Sequence, residues 1–275
     1  MLYPKFLMLS SAISFVVLSF GLIVGSFLNV CIFRLPRKVF WKGHRSQCFS
    51  CKSKIPFWLN IPVFSYCCIL GRARCCNKKI PVRYPLVEAL TACLFLLIYW
   101  RHPFVGWDIR HLEFYYFDCL RFSHIAIFSS LLLICSFIDF EFMIIPDEIS
   151  LGMVGFAPLV CLLHPELSWT SSLYGVFLGA GIIYAIAWLY FIFRSREGIG
   201  MGDAKLLAAI GGWCGYQAVL PSLFYGSVIG SLSSLCYLII SRQFSFKAEI
   251  PFGPFLAAGA LFHLLSPVHF ISLFL

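Results

Sequence analysis

Residues 206 to 241 read LLAAIGGWCGYQAVLPSLFYGSVIGSLSSLCYLIIS, with no Lys, Arg, Asp or Glu among them. At 1.5 Å per residue, one helix of that length would measure about 54 Å, nearly twice the roughly 30 Å of hydrocarbon in a bilayer. Pro221 lies near the middle of the stretch. The run therefore predicts two membrane helices joined by a tight turn at that proline. Runs of the same character recur along the chain, from Phe6 to Phe33 and near Pro85 to Trp100, Phe122 to Phe140, Ile149 to Pro165 and Leu167 to Phe193, with a last one from Ile250 to the C-terminus. The run from Phe6 to Phe33 is longer than the roughly 7 to 15 apolar residues of a signal peptide and its positive charges follow it, so it reads as a retained anchor. The expected fold is an all-α polytopic membrane protein with about eight transmembrane helices.

Composition agrees with this. Of the 275 residues, 60% are hydrophobic, 18% aromatic and only 12% charged, and the mean hydropathy is +0.88. A soluble domain carries about a quarter charged residues, and a disordered chain does not hold 30 Phe and 12 Tyr. The formal charge of +9 is unevenly placed: 12 of the 21 basic residues lie between Arg34 and Arg83, and no acidic residue precedes Glu88. Lys and Arg in short loops favour the cytoplasm. With the N-terminus outside, the loops holding Arg34 to Arg83, Arg194 and Arg196, and Arg242 and Lys247 all face the cytoplasm. Anionic lipid headgroups suit such a basic lobe, and no nucleic-acid partner is expected.

The basic lobe holds six of the 13 cysteines, between Cys48 and Cys76. In a reducing compartment, clustered cysteines point to metal more than to disulfides. Cys48 and Cys51 form a C-x-x-C knuckle suited to one tetrahedral zinc, which would also supply folding energy to a small segment. Cys75 and Cys76 are adjacent, and an extended chain would turn their side chains to opposite sides. Cys67 and Cys68 read as buried packing residues. The alternative is free thiols in a small cytoplasmic subdomain.

Ionisable groups in a membrane span are costly and mark function. Asp139 lies at the inner end of the third span, in the stretch CSFIDFEFMIIPDEIS from Cys135 to Ser150, and Asp203 opens the sixth, in EGIGMGDAKLLAAIGGW. In the proposed topology both meet the cytoplasmic face. Two close carboxylates share a proton, so that one activates water while the other polarises a carbonyl. Asp203 and Asp147 each have a simpler reading as helix N-caps. Asp139 does not, because a helix C-terminus disfavours negative charge. Gly200 and Gly202 allow close backbone approach beside Asp203.

These residues resemble the bacterial type IV prepilin leader peptidases, also called prepilin peptidase/N-methyltransferases, which are membrane aspartic proteases of the GxGD type. The resemblance rests on Gly25-Ser-Phe-Leu-Asn-Val30 with Arg34-Leu-Pro36, on Cys48-x-x-Cys51, Asn60-Ile-Pro62, Gly71-Arg72, Tyr84-Pro85 and Glu88, on Asp139 with Ile145-Pro-Asp147, on Gly200-Met-Gly-Asp203-Ala-Lys205, and on Pro251-Phe-Gly-Pro254. It implies three regions: a first span at 1–34, a cytoplasmic Cys-rich basic domain at 35–84, and a membrane-embedded aspartic peptidase core at 85–275. It implies cleavage of the basic leader of type IV prepilins or type II secretion pseudopilins after a glycine, at the cytoplasmic face of the bacterial inner membrane. N-methylation of the new N-terminus by S-adenosylmethionine follows. Asp139 and Asp203 are then the catalytic dyad, Gly200, Gly202, Lys205 and Asp147 border the substrate cleft, and Glu88 is associated with methyl transfer. The metal ligands are Cys48, Cys51, Cys75 and Cys76, with Ala73 standing where the family has a cysteine.

Three other readings remain open at this point: a leader peptidase without methyltransferase activity, a membrane transporter or assembly scaffold, and a membrane thiol oxidoreductase. The third needs its cysteines on the oxidising side, where the charge bias does not put them. A basic leader should be drawn to the acidic group of Asp139, Glu141, Asp147 and Glu148 and not to the basic lobe.

Overall fold

The computed structural model describes residues 3–39, 48, 50–51, 53–56, 59, 61–105, 115–162, 166–194, 200–241 and 250–266. Asn60, Arg196, Arg242, Lys247 and the chain beyond residue 266, all used above, lie outside the described residues. Nine α-helices are present among the described residues: α1 (Tyr3–Arg34), α2 (Phe64–Cys68), α3 (Arg83–Arg101), α4 (Tyr116–Phe142), α5 (Asp147–Val160), α6 (Trp169–Arg194), α7 (Met201–Cys214), α8 (Val219–Ser241) and α9 (Gly253–Leu265). An isolated antiparallel bridge joins Arg72 and Lys79.

The all-helical membrane fold is as expected, and eight of these helices fall within the apolar runs read above as spans. Among the described residues, five segments are long and apolar enough to cross a bilayer: Ser11–Arg34, Arg83–Arg101, Tyr116–Phe142, Trp169–Phe193 and Tyr216–Ile240. α5, α7 and α9 have 14, 14 and 13 residues, so each is only about 20 Å long. The break in the charge-free stretch falls earlier than the proline. Gly215 ends α7 with φ of 83°, a left-handed conformation that glycine adopts without a Cβ clash. A 3-10 turn, Tyr216–Ala218, then leads into α8. Pro221 sits in the first turn of α8, where its missing N–H has no intrahelical partner to lose.

The chain forms two compact units, Met1–Ile134 and Cys135–Leu275. In the first, α1 and α3 press together through small residues. A methyl group added at Gly21 would lie 2.7 Å from Ala92 Cα, and one at Gly25 2.7 Å from Glu88 Cα. Asn29, buried in α1, donates through Nδ2 to the Tyr84 carbonyl at 3.0 Å and so ties α1 to the start of α3. In the second unit α7 is the central element. Its residues from Leu206 to Trp213 are all buried, and α6 crosses it so closely that a Cβ on Gly175 would overlap the carbonyl of Gly211. The Trp213 indole N–H donates to the Met153 carbonyl at 2.8 Å, and the Ser172 hydroxyl to that of Gly212 at 2.7 Å. These bonds fix α7 against α5 and α6. The outer helices present Phe177, Trp188, Phe193 and Ile240 outward, as lipid-facing helices do when hydrocarbon is the solvent.

Candidate active site

In the second unit the short helix α7 carries Asp203 in its first turn, and α4 carries Asp139 in its last. α4 stops just past Asp139, where the Met143 N–H donates to the Asp139 carbonyl at 2.8 Å and Met143 takes φ of 55°. That left-handed residue redirects the chain toward Ile145. Asp139 is buried, at 6% exposure, and a buried carboxylate needs hydrogen-bond donors. It has one from a third helix: the backbone N–H of Gly253, first residue of α9, donates to Asp139 Oδ2 at 3.0 Å. The first N–H groups of a helix have no intrahelical acceptor and carry the positive end of the macrodipole. The acid misplaced at the end of α4 thus finds the compensating end of α9.

Asp203 caps nothing. The N-cap of α7 is Gly200, without a side-chain capping bond, and Asp203 is the third helical residue. Its half-buried carboxylate interacts electrostatically with that of Asp139. The packing between them is set by Ile145. A methyl group at Gly202 would lie 3.2 Å from Ile145 Cβ, and one at Gly253 3.3 Å from Ile145 Cδ1 and 2.7 Å from Asp139 Oδ2. Gly200 is exposed, and a methyl there would meet Asp203 Oδ2 at 3.7 Å, an ordinary contact. The close-approach argument therefore holds for Gly202 more than for Gly200.

Asp147 is not a cap either: Pro146 is the N-cap of α5, again without a side-chain bond. Asp147 is the first helical residue and forms a salt bridge to Lys205 Nζ at 2.6 Å. Lys205 is thus paired with Asp147, which reduces the negative charge left to attract a basic leader. Gly253 was missed as a site residue. Its signal was legible, because Gly followed by Pro254 after Pro251-Phe252 marks a helix start with free N–H donors, but nothing in the sequence places that start beside Asp139.

In the first unit Cys48, Cys51, Cys75 and Cys76 converge, their sulfurs all within 4.8 Å of one another. Cys51 Sγ lies 3.2 Å from Cys75 Sγ, and Cys48 Sγ 3.7 Å from Cys76 Sγ. Four thiolates about 2.3 Å from a tetrahedral ion would stand about 3.8 Å apart, so the set fits a zinc ion. The expectation that adjacent cysteines diverge is overturned, because Cys75 and Cys76 are not extended. They sit in a tight turn closed by Ala73 N–H to Lys78 O at 2.9 Å and Asn77 N–H to Ala73 O at 2.7 Å, with Asn77 at φ of 54°. Ala73 contributes backbone bonds to the turn where a ligand was expected. The Ser53 hydroxyl, 3.0 Å from Cys51 Sγ, and the Ser53 N–H pull the Cys51 thiol down to about 6, and the Cys51 N–H lowers that of Cys48. Cys67 and Cys68, read as packing residues, are both exposed at the end of α2. Glu88 is buried in α3 and accepts the Val63 N–H at 2.7 Å through Oε2.

Comparison with known proteins bears on both units. Residues 19–102 match the bacterial peptidase A24 N-terminal domain, and residues 126–235 match the type IV leader peptidase family. A prepilin leader peptidase/N-methyltransferase of Pseudomonas putida is 33% identical over 259 residues, covering 86% of this chain and 85% of that protein. One from Xanthomonas campestris pv. campestris is 31% identical over 260 residues, covering 86% and 85%. A type 4 prepilin-like proteins leader peptide-processing enzyme of Escherichia coli O78:H11 is 32% identical over 260 residues, covering 88% and 89%. No solved structure matches the chain.

Proposed function

The chain belongs to the type IV leader peptidase family, and from that premise we propose that Asp139 and Asp203 are the aspartyl dyad of a prepilin peptidase that also N-methylates its product. The observation that carries this reading is that Ile145 packs against both Gly253, whose N–H donates to Asp139, and Gly202, next to Asp203, so that the carboxylates of α4 and α7 come within electrostatic reach. Carboxylates that repel one another hold a single proton between them. The ionised partner takes a proton from water as the oxygen attacks the scissile carbonyl, and the protonated partner donates toward the developing oxyanion. The Gly253 N–H keeps Asp139 in position through this exchange. Gly202 lets Ile145 pack closely against the first turn of α7 beside Asp203, and the Asp147–Lys205 ion pair ties α5 to α7.

The four thiolates hold a structural zinc that staples the cysteine turns together. S-adenosylmethionine supplies the methyl group. The Lys and Arg bias supports an N-terminus outside, with the cysteine lobe and the dyad on the cytoplasmic side of the inner membrane, and the substrates are type IV prepilins or pseudopilins. The basic lobe rests on anionic headgroups, worth about 1 kcal/mol per Lys or Arg near the surface.

The test uses the full chain purified in detergent, with a prepilin and S-adenosylmethionine, and mass spectrometry of the pilin N-terminus. Loss of the leader together with an added methyl group supports the reading. Loss of the leader without a methyl group reduces it to a peptidase, and an intact leader sinks it.

A further inference from the structure

The first unit contains a large cavity, about 1220 Å³ in volume, whose lining includes neither Asp139 nor Asp203. Its volume exceeds the roughly 300–1,000 Å³ of common small-molecule sites, enough for a nucleoside-sized ligand and the end of a peptide together. Two buried acceptors lie on its wall. Asn29 is 2% exposed, and although its Nδ2 donates to Tyr84, its Oδ1 accepts no hydrogen bond among the described residues. A buried oxygen left in this way costs about 1–3 kcal/mol, so it marks a place where a donor belongs. One α-helical turn along α3 from Tyr84, the carboxylate of Glu88 is steadied on one oxygen by the Val63 N–H and bonded by the Ser26 hydroxyl.

The same cavity is lined elsewhere by Arg74 and Lys78, and by the ring of Tyr84. Acceptors and cations on the wall of one cavity are complementary to a zwitterion: an ammonium toward Asn29 and Glu88, a carboxylate toward the basic side chains. Tyr84 adds an aromatic face for a cation or a purine. An amino-acid head joined to a nucleoside and a sulfonium meets every one of these demands. We propose that this cavity binds S-adenosylmethionine, its methionine ammonium held by Glu88 and Asn29 Oδ1 and its carboxylate held by Arg74 and Lys78. The inference rests on the methyltransferase reading and adds the site and its residues. Cys48 and Cys75 also line the cavity, so the thiolate cluster forms part of the wall and shapes the binding site without touching the chemistry.

The experiment measures binding of S-adenosylmethionine to the full detergent-purified chain by calorimetry, beside photo-crosslinking of the bound cofactor and peptide mapping of the adduct. Glu88→Gln keeps an oxygen for the Val63 N–H and should weaken binding roughly 10- to 100-fold, since a hydrogen bond to a charged group is worth about 1.5–3 kcal/mol. Arg74→Ala with Lys78→Ala should weaken it about tenfold. Metal content and melting temperature report whether each variant has folded. Crosslinks in the unaltered chain should map to segments around Asn29, Arg74 or Tyr84 to Glu88. If the wild type binds and methylates while Glu88→Gln binds equally well, or if the adducts map to α5 through α9, the placement is wrong and the methyltransferase reading stands. If the wild type neither binds the cofactor nor methylates, both fall.

Discussion

Gly253→Ala isolates a contact at the site that sequence did not reveal. A methyl group there would stand 2.7 Å from Asp139 Oδ2 and 3.3 Å from its Cγ, closer than carbon and oxygen approach without bonding. Asp139 must turn away, and the 3.0 Å bond from the Gly253 N–H lengthens or breaks. A hydrogen bond to a charged group is worth about 1.5–3 kcal/mol, and displacing a catalytic group by about 1 Å costs about 10²-fold in rate. The two figures agree, since 10²-fold corresponds to about 2.7 kcal/mol of barrier. The expected result is therefore a fall of about 10²-fold in kcat for prepilin cleavage. KM should change less than about threefold, because Gly253 touches the carboxylate and not the peptide. Gly253 opens α9 with negative φ, and alanine's helix preference of up to about 1 kcal/mol offsets only part of the lost bond to a buried carboxylate, so the melting temperature should fall by a few degrees while the protein stays folded. Single-turnover cleavage in detergent separates these quantities. A folded Gly253→Ala enzyme cleaving within twofold of wild type would refute the role given to this N–H.

Other outcomes follow from the same geometry. Asp147→Asn breaks an ion pair whose aspartate side chain is 59% exposed; it should cost at most about 1 kcal/mol of stability and slow cleavage only a few-fold, with the difference shrinking at high salt. Gly211→Ala forces the backbones of α6 and α7 apart and should lower the melting temperature steeply or prevent folding, whereas Gly181→Ala, with nothing within 4 Å of the added methyl, should leave it unchanged or slightly raised. Cys75→Ser should reduce zinc bound to the purified chain as much as Cys51→Ser does, measured by metal analysis. Full zinc retention in Cys75→Ser would remove that residue from the ligand set.

The helices and their order were readable because a bilayer imposes a long apolar run on each span, and 60% hydrophobic composition leaves the few charges conspicuous. Asp139 and Asp203 stood out for the same reason. Finer features depend on partners distant in sequence. Asp147 looked like a cap because an acid after proline usually is one, and only the approach of α7 shows that Lys205 takes its charge. The bend in the charge-free stretch was assigned to Pro221, yet proline is well tolerated in a first helical turn and Gly215 supplies the positive φ that a break requires. Cys75 and Cys76 seemed unable to share an ion until the turn from Ala73 to Asn77 replaced the assumed extended chain. Gly253 donates to a residue 114 positions away, a distance over which no local pattern speaks.

The central claim is that Asp139 and Asp203 work as one unit. Cleavage of a prepilin by Asp139→Asn and by Asp203→Asn, each purified in detergent and shown to match the unaltered chain in metal content and melting temperature, tests it most directly. Both single variants should lose leader cleavage by a factor of at least about 10³, and the double variant should be no worse than either, because carboxylates that share one proton fail together. Leader removal at an appreciable rate by either folded variant would contradict the account.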